Sequence, residues 1–441
     1  MTRRDFMQVS AFSAGGLALT GCVTNPVTGR SQLILMTEQQ EIDVDKQNAP
    51  HQFSADYGKV QDSALNRYIG GVGSKMAAKS HRPNMPYSFQ VVNANYVNAY
   101  AFPGGTIAAT RGIMLDLENE AELAGLVGHE LGHVNARHTA QRMTQSTLAG
   151  IAVAGLTYGA SRKGEVWGSI AAGLGQLGSG ALLARYSRSN EREADGLGLK
   201  YMAESGYDPE GFVGLMDLLQ GMSNHKTGAV ELLFATHPMS SERYATAVKE
   251  ATTKYAAYQG GDLGRDRYMD HTASLRKIRG AVEKMQDAES AMGGKKYDQA
   301  ETTLKEALRI APSDYVGNVL MAKCLLLKGN AAEAGRFADK AKQIYPQEAQ
   351  GYHLAGIAKM RAKKYAAAYN DFVGSERVLP GNANTAFYRG MAQEKMGKRD
   401  VAAKEYDRYL KQVNQGDNAK HAYQRLTEWG YIKPAAPTPK N

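Results

Sequence analysis

Cysteine is almost absent: Cys22 and Cys324 are the only two in 441 residues, one near the start and one far downstream. No disulfide framework exists. Blocks of five or six basic residues are also missing, although the net charge is +9. That excludes a nucleic-acid arm and leaves anionic lipid surfaces, acidic partners, or simply a mildly basic solvated face. A good membrane-spanning run is lacking as well. Val166 to Ala184 is uncharged and would just reach across a bilayer, but Gly168, Gly173, Gly175, Gly178 and Gly180 make it a poor lipid-facing helix. The expectation for 148–183 is a pair of closely packed helices or a mobile flap, with a membrane contact as the alternative.

What the chain does contain is Gly128-His129-Glu130-Leu131-Gly132-His133. Leu117, Ala121, Ala124 and Val127 recur at helical spacing before it, so the motif sits on a helix. His129 and His133 then share one face, a turn apart, where both imidazoles can hold one metal ion. Glu130 lies about 100° further round, able to reach a water on that metal without being a ligand. Gly125, Gly128 and Gly132 each cost this helix about 1 kcal/mol relative to alanine, which demands a packing or functional reason.

The first 22 residues read as an export signal: Arg3 and Arg4, an apolar and small-residue run from Met7 to Thr20, then Gly21-Cys22. The start resembles a twin-arginine signal, and Leu19-Thr20-Gly21-Cys22 resembles a bacterial lipobox. The resemblance implies cleavage before Cys22 and lipidation of that cysteine, and the lack of a following aspartate implies the outer membrane. A retained short anchor is the alternative.

A tether of turn signals follows from Val23 to about Pro50, leading to an acidic helix near Thr37. Ser63 to Lys79 reads as helix, while Tyr87, Phe89 and Val91 alternate as in a half-buried strand. A second extended run, Tyr96 to Phe102, meets the Pro103-Gly104-Gly105 turn before Thr106 to Thr110 returns. Beyond Asp266 the pattern repeats. Pro312, Pro346 and Pro380 stand 34 residues apart, as do Ala300, Ala334 and Ala368, and Gly356 and Gly390. This is the tetratricopeptide period of paired helices, in which small residues permit close approach. Three good repeats, a degenerate fourth from Ala383 to Val413 and a capping helix are expected, with Cys324 a buried small residue of one repeat helix.

A catalytic zinc needs three protein ligands and an open position, so the two histidines require a partner from elsewhere. Glu191 is the best candidate, with Asp195 one turn on to hold the free ring N–H of a ligating histidine. On spacing alone, both are equally readable as exposed helix charges paired with Arg188 or Arg192.

HELGHVNARH at 129–138, SRSNEREAD at 187–195, NAYAFPGG at 98–105 and HPMSSER at 237–243 resemble, in the right order, four motifs of the zinc endopeptidases that include the CAAX prenyl protease and HtpX. The resemblance covers about residues 30–255. With the export signal and the repeats, it is closest to the periplasmic type that joins a peptidase domain to a C-terminal tetratricopeptide array. It implies one zinc per chain, held by His129, His133 and Glu191, with Glu130 as base and Asp195 supporting a ligand. It also places His237 and Arg243 at the active-site rim, His237 either holding the oxyanion or capping the open metal position in a resting enzyme. Asn98, Ala99, Tyr100, Ala101 and Phe102 resemble the family's substrate edge strand, to which an extended peptide adds.

The expected fold is α+β: a mainly helical zinc metallopeptidase domain with a small sheet, followed by an all-α tetratricopeptide solenoid. The boundaries are an export signal at 1–22, tether at 23–50, peptidase at 51–257, linker at 258–280, repeats at 281–415, capping helix at 416–430 and disordered tail at 431–441. The expected partners are unfolded or misassembled envelope proteins as substrates, the outer-membrane assembly machinery through the repeats, and the membrane through an N-terminal lipid, with no nucleic acid. A periplasmic, lipid-anchored location at the outer membrane completes the reading. Its rivals are a repeat-based chaperone with minor or latent proteolysis and a metal-dependent hydrolase of small molecules.

Overall fold

The computed structural model describes residues 22–146, 185–224 and 228–432. The export signal up to residue 21, the glycine-rich stretch 148–183 and residues 433–441 of the tail lie outside the described residues, as does the side chain of Cys22. The chain divides into two compact units, Met1–Gln52 with Lys59–Lys277, and Phe53–Gly58 with Ile278–Asn441. The first is α+β and the second all-helical, as the sequence predicts.

In the first unit a hairpin of β1 (Cys22–Thr24) and β2 (Ser31–Leu33) precedes α1 (Glu38–Ala55) and α2 (Ser63–Ala77). Asp62 starts α2 by accepting from the backbone N–H groups of Ala64 and Leu65. Three strands follow: β3 (Ser88–Val92), β4 (Ala99–Ala101) and β5 (Thr106–Thr110). Their order is β3-β5-β4, with β3 parallel and β4 antiparallel to the central β5, so β4 is an edge. The extended run expected from Asn98 to Phe102 pairs as strand only over Ala99–Ala101. Pro103-Gly104-Gly105 turns the hairpin, with Gly105 at φ 104°. A Cβ at Gly104 would stand 2.5 Å from Asp45 Cβ, and Asp45 accepts from Thr106 N at 2.9 Å, which ties the turn to α1.

The remaining helices are α3 (Arg111–Asp116), α4 (Glu120–Asn135), α5 (138–146), α6 (Arg188–Glu204), α7 (Glu210–Asn224), α8 (Glu231–Thr236), α9 (Ser241–Thr252) and α10 (Arg265–Arg276). Helix α4 is the hub. All but one of its residues are buried, among α2, α6 and α7, so its side chains face other elements rather than water.

Two stretches differ from expectation. The tether at 23–50 is stitched into this unit: Glu41, fully buried, pairs with Arg82 at 2.7 Å and Arg137 at 3.0 Å, while Arg137 also donates to Met36 O at 2.8 Å. A carboxylate buried between two guanidiniums leaves no apolar periodicity to read, and removing either partner would strand a buried charge. The linker at 258–280 contains α10, whose Tyr268 hydroxyl donates to Met114 O at 2.7 Å and whose Arg276 donates to Leu115 O at 3.2 Å and to Leu117 O. Those carbonyls are the orphan acceptors at the end of α3, so α10 completes that helix.

In the second unit, helices pair at 279–293 with 297–310, 315–327 with 331–344, 349–361 with 365–378 and 383–395 with 399–410, and a last helix spans Asp417–Glu428. Ala300, Ala334 and Ala368 are fully buried. A Cβ at Gly356 would stand 2.5 Å from the Phe372 ring and one at Gly390 2.8 Å from the Tyr406 ring, which explains the small residue at this repeat position. Cys324 is buried, as expected.

Candidate metal centre

Helix α4 begins at Asn119, whose side chain accepts from Glu122 N at 2.8 Å, and carries His129, Glu130 and His133 into the interior. Helix α6 begins with a reciprocal cap between Ser187 and Asn190 and carries Glu191 and Asp195. The two helices touch through glycine. A Cβ at Gly132 would stand 2.8 Å from Ala194 O, and one at Gly128 3.0 Å from Gly198 O; one at Gly198 would stand 2.9 Å from His129 N. The glycines that weaken α4 as a helix therefore let its backbone lie against that of α6.

That approach brings ligand-type atoms together. His129 Nε2 and His133 Nε2 are 3.1 Å apart; Glu191 Oε1 is 3.3 Å from His133 Nε2, and Glu191 Oε2 is 3.7 Å from His129 Nε2. A tetrahedral metal with ligands at about 2.0–2.1 Å sets neighbouring ligand atoms about 3.3–3.4 Å apart. The three residues' observed 3.1–3.7 Å separations, in which a different Glu191 oxygen faces each imidazole, bracket that spacing. His237 joins them, its Nδ1 3.2 Å from Glu191 Oε1, and the ligand-type atoms of all four residues lie within 4.8 Å of one another. The residue is placed by the end of α8, where its N–H donates to Leu233 O at 2.7 Å, and by Pro238 beyond it.

The surrounding contacts orient the histidine rings. His129 Nδ1 lies 2.9 Å from Asp195 Oδ1, which leaves Nε2 to face the site. On the other histidine, His133 Nδ1 meets His138 Nδ1 at 2.9 Å, and His138 Nε2 meets Glu193 Oε2 at 3.2 Å. With His138 donating to Glu193, its other nitrogen accepts from His133 Nδ1–H and the His133 Nε2 lone pair points into the site. Tyr186 stacks on the His133 ring at 3.8 Å, and its hydroxyl bonds Thr139 Oγ1 at 3.0 Å. Sequence reasoning gave no role to His138, Glu193 or Tyr186. His138 was visible as a third histidine in the first motif and Glu193 lay within the second; Tyr186 carried no signal.

Glu191 is fully buried and Asp195 is 6% exposed, so neither is a surface charge; Arg192 pairs instead with Glu242 at 3.6 Å. Arg243 is buried too, and lines the hollow that holds His129, Glu130 and His237. It reaches Asp195 with two bonds of 2.7 Å, Glu191 Oε2 at 2.7 Å and Pro238 O at 3.0 Å, locking both carboxylates and the turn after His237.

Burial pushes the Glu191 carboxyl up, but the imidazoles of His237, His133 and His129 overcome it and hold it well below the usual carboxylate range. Burial drives His133 well below an ordinary histidine. Burial raises Glu130, with His237 and His129 partly offsetting it, and Glu130 Oε1 lies 3.8 Å from His237 Nε2. His237 is raised: the Glu191 and Glu130 carboxylates outweigh its desolvation. A carboxyl held low, an imidazole held low and a glutamate held high thus share one buried centre.

On the edge strand, Ala99 lines an apolar hollow with Leu126, Leu215, Leu219 and Phe234 that also includes His129, Glu130 and His237. Just before it Asn98 is fully buried, and neither atom of its amide has a hydrogen-bond partner. Among the described residues no helix is long and apolar enough to cross a membrane.

The profile of Peptidase family M48 matches residues 63–251, the region that holds the whole centre. The first unit carries an M48 peptidase domain. A tetratricopeptide repeat profile matches 291–356 in the second. Outside the M48 profile lie α10 and the hairpin with α1, both packed into the same unit. The chain is similar to the beta-barrel assembly-enhancing protease of Yersinia pestis, 30% identical over 44% of this chain and 40% of that one. The protein of the same name from Escherichia coli K12 is 26% identical over 58% and 57%, and the metalloprotease YcaL of that strain 32% over 36% and 59%. The matches span 40% to 59% of these relatives' own lengths.

Proposed function

We propose that the chain is a zinc-dependent endopeptidase of the bacterial envelope, acting on misfolded or stalled envelope proteins. The observation that carries this reading is the buried convergence of His129, His133 and Glu191, with ligand-type atoms 3.1–3.7 Å apart, beside Glu130. His129, His133 and Glu191 would hold one zinc. When bound, zinc supplies a Lewis acid for the scissile carbonyl and makes water a nucleophile near neutral pH. Glu130 takes the proton from the attacking water and delivers it to the leaving amine. Asp195 holds His129 in register, and Arg243 fixes Asp195 and Glu191 together. β4, at the edge of the sheet, receives the substrate as an added strand, with the main chain supplying affinity and Asn98 offering an amide for it.

His237 has two candidate roles. In a peptide complex it holds the oxyanion; in a resting chain it occupies the fourth position and keeps the enzyme latent. Its Nδ1 within 3.2 Å of Glu191 favours latency for the state described here, so His237→Ala is expected to raise proteolysis. A fall would leave only the oxyanion role.

The repeats recruit substrates or the outer-membrane assembly machinery, consistent with the names of the relatives. Cys22 is the proposed lipidation site, anchoring the chain to the outer membrane on its periplasmic face. The rival reading, a repeat-based chaperone with latent proteolysis, is favoured by the same His237 contact.

Metal content and casein cleavage, measured together for residues 23–441 and its Glu130→Gln variant, test the proposal. One zinc per chain in both, with cleavage falling by about 10²- to 10⁴-fold in the variant, is the expected result. Equal cleavage by the two would sink the assignment of Glu130.

A further inference from the structure

The residues at the turn after α8 face two different hollows. His237 belongs to the apolar one beside Ala99, whereas Pro238 lines a second hollow of about 390 Å³. This second hollow is basic. Arg142, Arg185 and Arg188 line it with Gln141 and Tyr186, and no carboxylate is among its described lining residues. Glu193, which is not among the lining residues, pairs with His138 at 3.2 Å. Arg185 and Arg188 are exposed, so their guanidiniums stay hydrated and mobile enough to close on a ligand.

The hollow is built onto the metal centre. The Arg142 guanidinium lies 4.6 Å above the Tyr186 ring, and the other face of that ring stacks on His133 at 3.8 Å. Positive charge is thereby fixed two stacked layers from a metal ligand. An extended peptide advances about 3.3 Å per residue, so a side chain two or three residues from the scissile bond falls within reach. Guanidinium forks pair with carboxylates in bidentate fashion.

We propose that this hollow is a substrate subsite that selects a peptide carboxylate, either an Asp or Glu side chain close to the scissile bond or a free C-terminus. The proposal rests on the endopeptidase reading above for its role in cleavage, but not for the binding itself.

The test uses pairs of fluorescent peptides differing only by Glu or Gln at each of three positions on either side of the cleaved bond, each made with a free and an amidated C-terminus. Binding is read by anisotropy on the Glu130→Gln chain, which needs no turnover, and kcat/KM is read on the parent. The expected result is a Glu-over-Gln preference of about tenfold at one position, in both readouts, weakening as salt rises from about 0.05 to about 0.5 M. Arg185→Gln/Arg188→Gln should cut it below about twofold, and Arg185→Glu/Arg188→Glu should reverse it toward Lys peptides. If amidation alone abolishes the preference, the C-terminus is the ligand. Equal binding of Glu and Gln peptides at every position, with no effect of amidation, overturns the subsite; so does a preference that survives both double variants. Arginine-dependent carboxylate preference in binding, with no peptide cleaved by the parent, keeps the subsite and removes the peptidase reading.

Discussion

Gly132→Ala and Gly71→Ala are the same substitution in the middle of two helices, and the structure gives them opposite outcomes. Intrinsic propensity favours alanine by about 1 kcal/mol at either site. At Gly71, in α2, a Cβ meets nothing within 4 Å, so the gain is free and a rise in stability of about 0.4–1 kcal/mol is expected. At Gly132 the Cβ would stand 2.8 Å from Ala194 O and 2.9 Å from Ala194 Cα, both main-chain atoms that cannot rotate aside. Ordinary contact begins near 3.4 Å, so α4 and α6 must separate locally by about 0.6 Å.

Overpacking of that kind costs about 1–3 kcal/mol, which overturns the propensity gain and leaves a net loss of about 0–2 kcal/mol. The larger effect falls on the metal centre. His129 and His133 ride on α4 and Glu191 on α6, so the separation acts on the 3.3 Å and 3.7 Å spacings directly. Loss of a well-placed supporting contact costs 10–100-fold in metal affinity in comparable sites, and a similar loss is expected here. Thermal unfolding without metal and competitive zinc titration would be run on both variants and the parent. If Gly132→Ala stabilised the chain as much as Gly71→Ala and bound zinc as tightly as the parent, the account of why α4 tolerates its glycines would be wrong.

Asp195→Asn removes the anion beside His129 Nδ1 and one partner of Arg243, and zinc affinity should fall about 10–100-fold with the fold retained by circular dichroism. Tyr268→Phe deletes the buried bond to Met114 O, so the chain should lose about 0.5–1.5 kcal/mol in denaturant titration, without change in zinc content. In the repeats, burial first and then Lys323 push the His353 ring down to about 4. An unfolded histidine takes up its proton near 6.5, so between about 6.5 and about 4 the unfolded chain binds more protons and stability falls with falling pH. With the ring partly exposed, about 1–3 kcal/mol is at stake. His353→Phe should therefore narrow the gap in melting temperature between pH 7 and pH 4.5, and an unchanged gap would remove His353 as its source.

The parts of this molecule that were legible in the sequence are those whose cause is periodic or local. The His129–His133 pair, the small residues at 34-residue spacing and the turn at Gly105 each follow from backbone geometry that a few residues impose by themselves. Pairing Glu191 with the histidines was one of two equal readings on spacing and was decided by motif resemblance, because a helix 58 residues onward has no local reason to face them. A local signal was present too: the cost of the glycines in α4 called for a packing or functional reason, and the structure supplies it, because Gly128 and Gly132 are where α4 lies against the backbone of α6. What stayed hidden was polar groups that meet across the fold. Glu41 between Arg82 and Arg137, and Glu193 behind His138, are polar residues whose partners lie 41, 96 and 55 positions away, and a polar residue reads as surface until its partner is known. The same blindness helps explain why the stretch at 23–50 looked like a tether and 258–280 like a linker: isolated buried residues such as Ile34, Met36 and Leu275 make no periodic face, and arginine, tyrosine and backbone carbonyls supply the polar contacts. A sequence reading of this fold is therefore strongest where small or apolar residues recur, and weakest where ion pairs and polar contacts close the structure around the His129–His133–Glu191 cluster.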